Sequence, residues 1–237
     1  METVNLSISN AVSIFLFFTG WFFLLLFTLL PFLEGAFVVH AGLYWFITGY
    51  FLFIPMFAFA ILSVRREGSR DIENIRLSLG VRGFSKKDLK YSIVGLIFVF
   101  LCTGIIFGIS AALTHRFGIR PLSTTPWFME FESFQGHERF FLLFWFPMFF
   151  FNIAGEEILW RGYIQTRLRG NYSWLLCSFL WMVFHIPFGL DLMIVLIPLL
   201  FVIPYVHKKT ENTSNAMLIH GLYNGPVFVL VALGVIQ

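Results

Sequence analysis

The stretch "NIAGEEILWRGY", residues 152–163, places two adjacent carboxylates, Glu156 and Glu157, beside Arg161 in an otherwise apolar context. Glu157 and Arg161 are four residues apart, on one helical face in the favourable order with the acid first, so they can neutralise each other. Glu156 lies about 100° further round the helix and is free to address something else. Two later stretches carry groups of complementary chemistry. "SFLWMVFHIPFG" holds His185 four residues after Trp181, and "AMLIHGLYNG" holds His220 and Asn224 at i and i+4, one above the other on a single face. Carboxylates and imidazoles move protons, and imidazole and carboxamide donors stabilise developing anions. Each group alone also has a plain structural reading: an acid cluster at the membrane edge, a packing histidine, or a His/Asn pair hydrogen-bonded between helices.

The elements that must position these groups are membrane helices. The 237 residues are 58% hydrophobic and 12% charged, with 33 phenylalanines, whereas a soluble domain is roughly a quarter charged. Runs long enough to cross a hydrocarbon core of about 30 Å are expected at 11–33, 37–63, 91–114, 139–160, 172–187, 191–206 and 214–236. The predicted fold is an all-α polytopic membrane protein of about seven helices. Its fifth and sixth are expected to form a short hairpin whose turn, "PFGLD", is buried in protein. The first segment is expected to be a true span, because "METVNLSISN" lacks a basic n-region. Cys102 and Cys177 fall in apolar helices, where a free thiol behaves as a small hydrophobe.

Charge bias sets the expected orientation. With the N-terminus inside, loops 64–90, 161–171 and 207–213 hold 13 of the 16 Lys and Arg, which satisfies the positive-inside rule and gives N-in, C-out. Arg116, Arg120 and Arg139 remain outside, balanced by Glu130, Glu132 and Glu138. The basic 64–90 loop suits lipid headgroups. Nucleic acid is not an expected partner, since the loop also carries Glu67, Asp71, Glu73 and Asp88. His40 and Glu34, near the outer end of the first hairpin, and the loop residues His115, His137 and His207 read as interfacial side chains.

Spans one to three carry no nameable chemistry, whereas polar groups enter the spans from residue 139 onward. Ionisable groups cost about 2.5–3.5 kcal/mol at the bilayer centre on insertion scales and face the bundle interior or a water-filled cavity. Glu156, His185, His220 and Asn224 are therefore expected to share one chamber, with Glu157 held by Arg161 or another base.

Glu156-Glu157-x-x-x-Arg161, an aromatic-x-x-x-His ending at His185, and His220-x-x-x-Asn224, in this order, resemble the CAAX protease and bacteriocin-processing family, also called CPBP or Abi. The resemblance covers residues 139–237 as a catalytic helical core; residues 1–138 match only as variable N-terminal helices with a basic cytoplasmic loop. Trp181 stands where that family usually has phenylalanine and preserves an aromatic face beside His185. The resemblance implies a multi-pass intramembrane endopeptidase, in the cell membrane of a prokaryote or the endoplasmic reticulum of a eukaryote. It would cut a membrane-associated peptide or protein, prenylated or not, near the cytoplasmic side. Glu156 and His185 would activate a water, and His220 with Asn224 would hold the oxyanion. No serine or cysteine belongs to the cluster, so direct attack by water is the expected route.

Two alternatives stay open. Zinc on Glu156, His185 and His220 would form a three-ligand site with an open position, although the sequence has no HExxH and Asn224 suits an oxyanion better than a metal; no cofactor is expected. A non-proteolytic bacteriocin-immunity or scaffold protein would use the same helices without catalysis. A transporter binding substrate at the midplane would need a broken-helix repeat in both halves, which the sequence does not show.

Overall fold

The structure is a computed structural model describing residues 5–129 and 131–235. Glu130, one of the expected outer acids, and Ile236, the expected last residue of the final span, lie outside the described residues. The chain is all-helical. In order it forms α1 (Ile8–Leu24), α2 (Leu30–Ala36), α3 (Ala41–Arg66), α4 (Ile72–Ser78), α5 (Lys86–Phe117), α6 (Leu142–Glu157), α7 (Ser173–Phe184), α8 (Leu190–Thr210) and α9 (Thr213–Ala232). Wider π-helical turns at Leu25–Leu29 and Ile158–Gln165 join α1 to α2 and extend α6.

Local chemistry starts and stops these helices. Ser7, Asp71 and Asn212 cap α1, α4 and α9 by accepting backbone N–H groups. Ser85 and Asp88 form a reciprocal capping box at the start of α5. Gly118 ends α5 in the left-handed conformation, which glycine adopts without a Cβ clash.

Among the described residues, six helical stretches are long and apolar enough to cross a membrane: Ile8–Ala36, Ala41–Arg66, Lys86–Phe117, Gly136–Gln165, Leu190–Thr210 and Thr213–Ala232. The shorter Ser173–Phe188 is the seventh apolar segment. The expected short hairpin is therefore short on one side only. Segment six extends to Thr210, because Asp191 already sits in its first turn and the basic His207, Lys208 and Lys209 form its last turn, where cations complement the helix dipole.

Two further expectations are corrected. Arg161 is not a loop residue, because the helix continues to Gln165, and Arg161 and Arg167 are both buried in protein. Arg167 pairs with Glu67 at 2.7 Å. Neither can act as a free headgroup-facing charge. His207 is likewise buried on α8 rather than interfacial, while His40 caps α3 through its Nδ1, which accepts Gly42 N–H at 3.0 Å.

The segment ends gather on two faces. On one, Leu6 N–H donates to Arg167 C=O at 3.0 Å, beside the basic α3–α5 connection and the α8–α9 turn. On the other, Phe134 N–H donates to Ala232 C=O at 2.8 Å, and Arg120 pairs with Asp191 at 2.8 Å at the α7–α8 turn. Trp127 Nε1 donates to Pro187 C=O at 2.8 Å, covering part of that turn, although Leu190 stays exposed. Between the faces, aromatic rings fill the core: Phe15 of α1 stacks on Trp160 at 3.9 Å, and Trp145 stacks on Phe228 at 4.8 Å.

Candidate active site

The site is built around the junction between α6 and its π-helical extension. Gly155 and Gly162 flank this junction and set how closely it packs. A Cβ on Gly155 would lie 2.6 Å from the Phe53 carbonyl oxygen, and one on Gly162 would lie 2.6 Å from that of Leu79. Only glycine lets backbone approach backbone so closely. The π turns leave carbonyls in need of partners, and two side chains supply them. Thr166 Oγ1 donates to Gly162 C=O at 2.6 Å, and Arg167 Nη1 donates to Gly162 and Tyr163 C=O at 3.3 and 3.2 Å.

The two acids separate as their spacing predicts. Glu157 and Arg161 are both 0% exposed, with Arg161 Nε 3.2 Å from Glu157 Oε2; the contact is an ion pair without hydrogen-bond geometry. The guanidinium carbon lies 3.5 Å from the centre of the Trp181 ring, a cation–π contact. The other oxygen of Glu157 meets His220 Nδ1 at 2.7 Å. Glu156 has different partners. Asn152 Nδ2 donates to Oε1 at 2.8 Å and Trp181 Nε1 donates to Oε2 at 2.7 Å, so the carboxylate is an acceptor on both oxygens, the pattern of the ionised form.

The histidine tautomers follow from their partners. His185 Nδ1 lies 2.8 Å from Trp181 C=O; a carbonyl can only accept, so Nδ1 carries the proton and Nε2 of the neutral ring is a bare acceptor. His220 Nδ1 likewise donates to the Glu157 carboxylate. Trp181 gathers the group, with its ring centre 5.3 Å from that of His185 and 5.5 Å from that of His220. Asn224 lies one turn beyond His220, partly buried, and its side chain forms no hydrogen bond among the described residues. Measured along the helices from the basic face, Glu156 is about 13 Å from Gln165, His220 about 10 Å from Thr213 and His185 about 18 Å from Ser173 at 1.5 Å per residue.

Sequence reasoning missed two partners. Asn152 precedes Glu156 by four residues, and that spacing was legible. The indole bond from Trp181 was not, because it joins two helices across 25 positions. His207, also missed, packs near Thr213, its Nε2 3.4 Å from Thr213 Oγ1. Among the described residues no group of three His, Cys, Asp or Glu side chains is arranged to hold a metal ion.

No curated protein and no solved structure matches the chain. Residues 138–225 match the family model described as type II CAAX prenyl endopeptidase Rce1-like. Glu156, Glu157, Arg161, Trp181, His185, His220 and Asn224 all fall within that match.

Proposed function

We propose that this protein is an intramembrane endopeptidase of the glutamate type, hydrolysing a peptide bond near the cytoplasmic side of the bilayer, which we assign to the basic face. The family match supports a CAAX-type membrane protease. The observation that carries the finer reading is the division of labour between the acids: Glu157 is engaged by Arg161 and His220, while Glu156, among the described residues, accepts only from the neutral donors of Asn152 and Trp181. Each oxygen of Glu156 keeps a second lone pair for a water.

In this reading Glu156, with the bare Nε2 of His185, takes a proton from a water whose oxygen attacks the scissile carbonyl carbon. The oxyanion is held by His220 Nε2 and the Asn224 carboxamide. To donate through Nε2, His220 must carry a second proton, and the Glu157 carboxylate at 2.7 Å balances that charge. When the carbon–nitrogen bond breaks, Glu156 returns the proton to the leaving amine. The substrate class is a membrane-anchored peptide, and the family description points to one with a prenylated C-terminus.

The donor set favours this metal-free reading over zinc: each oxygen of Glu156 already accepts from an N–H donor, and the Arg161 guanidinium beside Glu157 supplies positive charge that a metal would otherwise bring. The test is cleavage of a farnesylated peptide by purified wild type and Glu156→Gln. Turnover by wild type alone is the expected result. Absence of cleavage by wild type, with membrane expression intact, would favour the non-proteolytic immunity or scaffold role.

A further inference from the structure

A cavity of about 440 Å³ lies on the face opposite the basic one, between the end of α2, the start of α3 and the segment around Trp127 that precedes α6. Its walls include the rings of Tyr44, Trp45, Trp127 and Phe128, together with Met129 and Glu34. Trp127 stands at 87° to Phe128 with ring centres 5.6 Å apart, and Trp45 meets the other ring at 5.4 Å and 43°. The rings therefore form a corner rather than a stack.

Two of these side chains have already used their polar atoms. Trp127 Nε1 donates to Pro187 C=O at 2.8 Å. Tyr44 Oη donates to Phe37 C=O at 2.7 Å and accepts Val39 N–H at 3.1 Å. What they still offer a ligand is the π face, which carries the negative side of the ring quadrupole. Glu34 is the one charged side chain among the described lining residues, and it forms no salt bridge or hydrogen bond among the described residues.

Negative ring faces beside an unpaired carboxylate call for a cation. Calcium or magnesium would need about six or more oxygen ligands, which a single carboxylate among aromatic rings does not provide. An organic ammonium needs only the carboxylate and the rings. The surroundings indicate where such a group comes from. Phe27, in the π turn that joins α1 to α2, has its ring centre 6.1 Å from that of Trp127 and is 62% exposed within a membrane-crossing stretch. The Trp127 wall thus continues into a surface that faces acyl chains, while the cavity lies at the helix ends, the headgroup level where Trp and Tyr collect.

We propose that this cavity binds the ammonium headgroup of a zwitterionic phospholipid, of the ethanolamine or choline type, from the leaflet opposite the basic face. Glu34 pairs with the ammonium and the rings enclose it. Trp45 Nε1, which has no partner among the described residues, is a donor for the adjoining phosphate. The assignment does not depend on the endopeptidase reading.

The test is native mass spectrometry of the full-length protein released from detergent with phosphatidylethanolamine, phosphatidylcholine or phosphatidylglycerol added singly. The first two should be retained about tenfold over the third, which has the same phosphate but no ammonium. Glu34 is exposed, so its variants leave the fold intact. Glu34→Gln should remove most of the preference, and Glu34→Lys, which brings its own ammonium, should reverse it. Trp127→Leu should lower retention of both ammonium lipids and leave phosphatidylglycerol unchanged. Glu132→Lys, the same charge change at another exposed acid, should alter nothing. Equal retention of the three lipids overturns the proposal, as does a preference that survives Glu34→Lys or that Glu132→Lys removes equally. Displacement of the retained lipid by free glycerophosphocholine would also overturn it, assigning the cavity to a soluble ammonium compound.

Discussion

Trp181 on α7 donates its indole Nε1 to Oε2 of Glu156 on α6 at 2.7 Å, and the face of the same ring carries the Arg161 guanidinium. One side chain thus positions the proposed base and covers the buried cation. Replacing it with phenylalanine separates these roles. Trp181→Phe keeps an aromatic face but removes the donor, and a hydrogen bond to a charged group contributes about 1.5–3 kcal/mol. Denaturant unfolding in detergent should show a loss of that size, and kcat should fall about tenfold with KM little changed.

Glu156→Gln should abolish cleavage, since an amide cannot take the water's proton. It also offers one acceptor where Asn152 and Trp181 both need one, so a stability loss of about 1–3 kcal/mol is expected. Glu157→Gln should behave differently, because its partners are Arg161 and His220. It should lower the melting temperature more than Glu156→Gln does, while retaining measurable turnover. If Glu157→Gln is the dead variant and Glu156→Gln the active one, the roles of the two acids must be exchanged.

Arg161→Ala strands a buried carboxylate and removes the guanidinium from the Trp181 face. Breaking a buried pair by removing one partner costs about 3–5 kcal/mol. Folded yield after solubilisation, read by size exclusion, should collapse. Arg76→Ala, at an exposed pair with Glu73, should leave it unchanged.

Gly155→Ala puts a methyl group 2.6 Å from the Phe53 carbonyl oxygen. Overpacking of this kind costs about 1–3 kcal/mol, and the displaced α6 would carry Glu156 with it. Both stability and kcat should drop. Gly104→Ala, where no heavy atom outside its own helix lies within 4 Å, should be neutral in both assays.

A water activated by Glu156 and His185 needs no ion, so purified active protein should carry no stoichiometric zinc by elemental analysis and should keep its activity in membrane-permeable chelators. Its activity should rise with pH through one apparent pKa that belongs to the Glu156–His185 pair rather than to either residue. One equivalent of tightly bound zinc in active protein would overturn this mechanism.

Composition, hydropathy and helical spacing by themselves determined that the chain is a bundle of membrane helices and that Glu157 and Arg161 share a face. Both follow from local geometry, from 1.5 Å and 100° per residue. Tertiary structure decided the rest. Spans this apolar on every side do not reveal how each helix is rotated or how deep it sits; close backbone packing at Gly155 and Gly162 sets both. That rotation turns Glu156 toward Trp181 and Glu157 toward His220, pairings between residues 25 and 63 positions apart. The same packing explains why Arg161, Arg167 and His207, which loop position and charge alone assign to the interface, are buried. A buried cation needs a partner; Glu157 supplies it for Arg161 from one turn away on the same helix, whereas Glu67 reaches Arg167 only once the helices are packed.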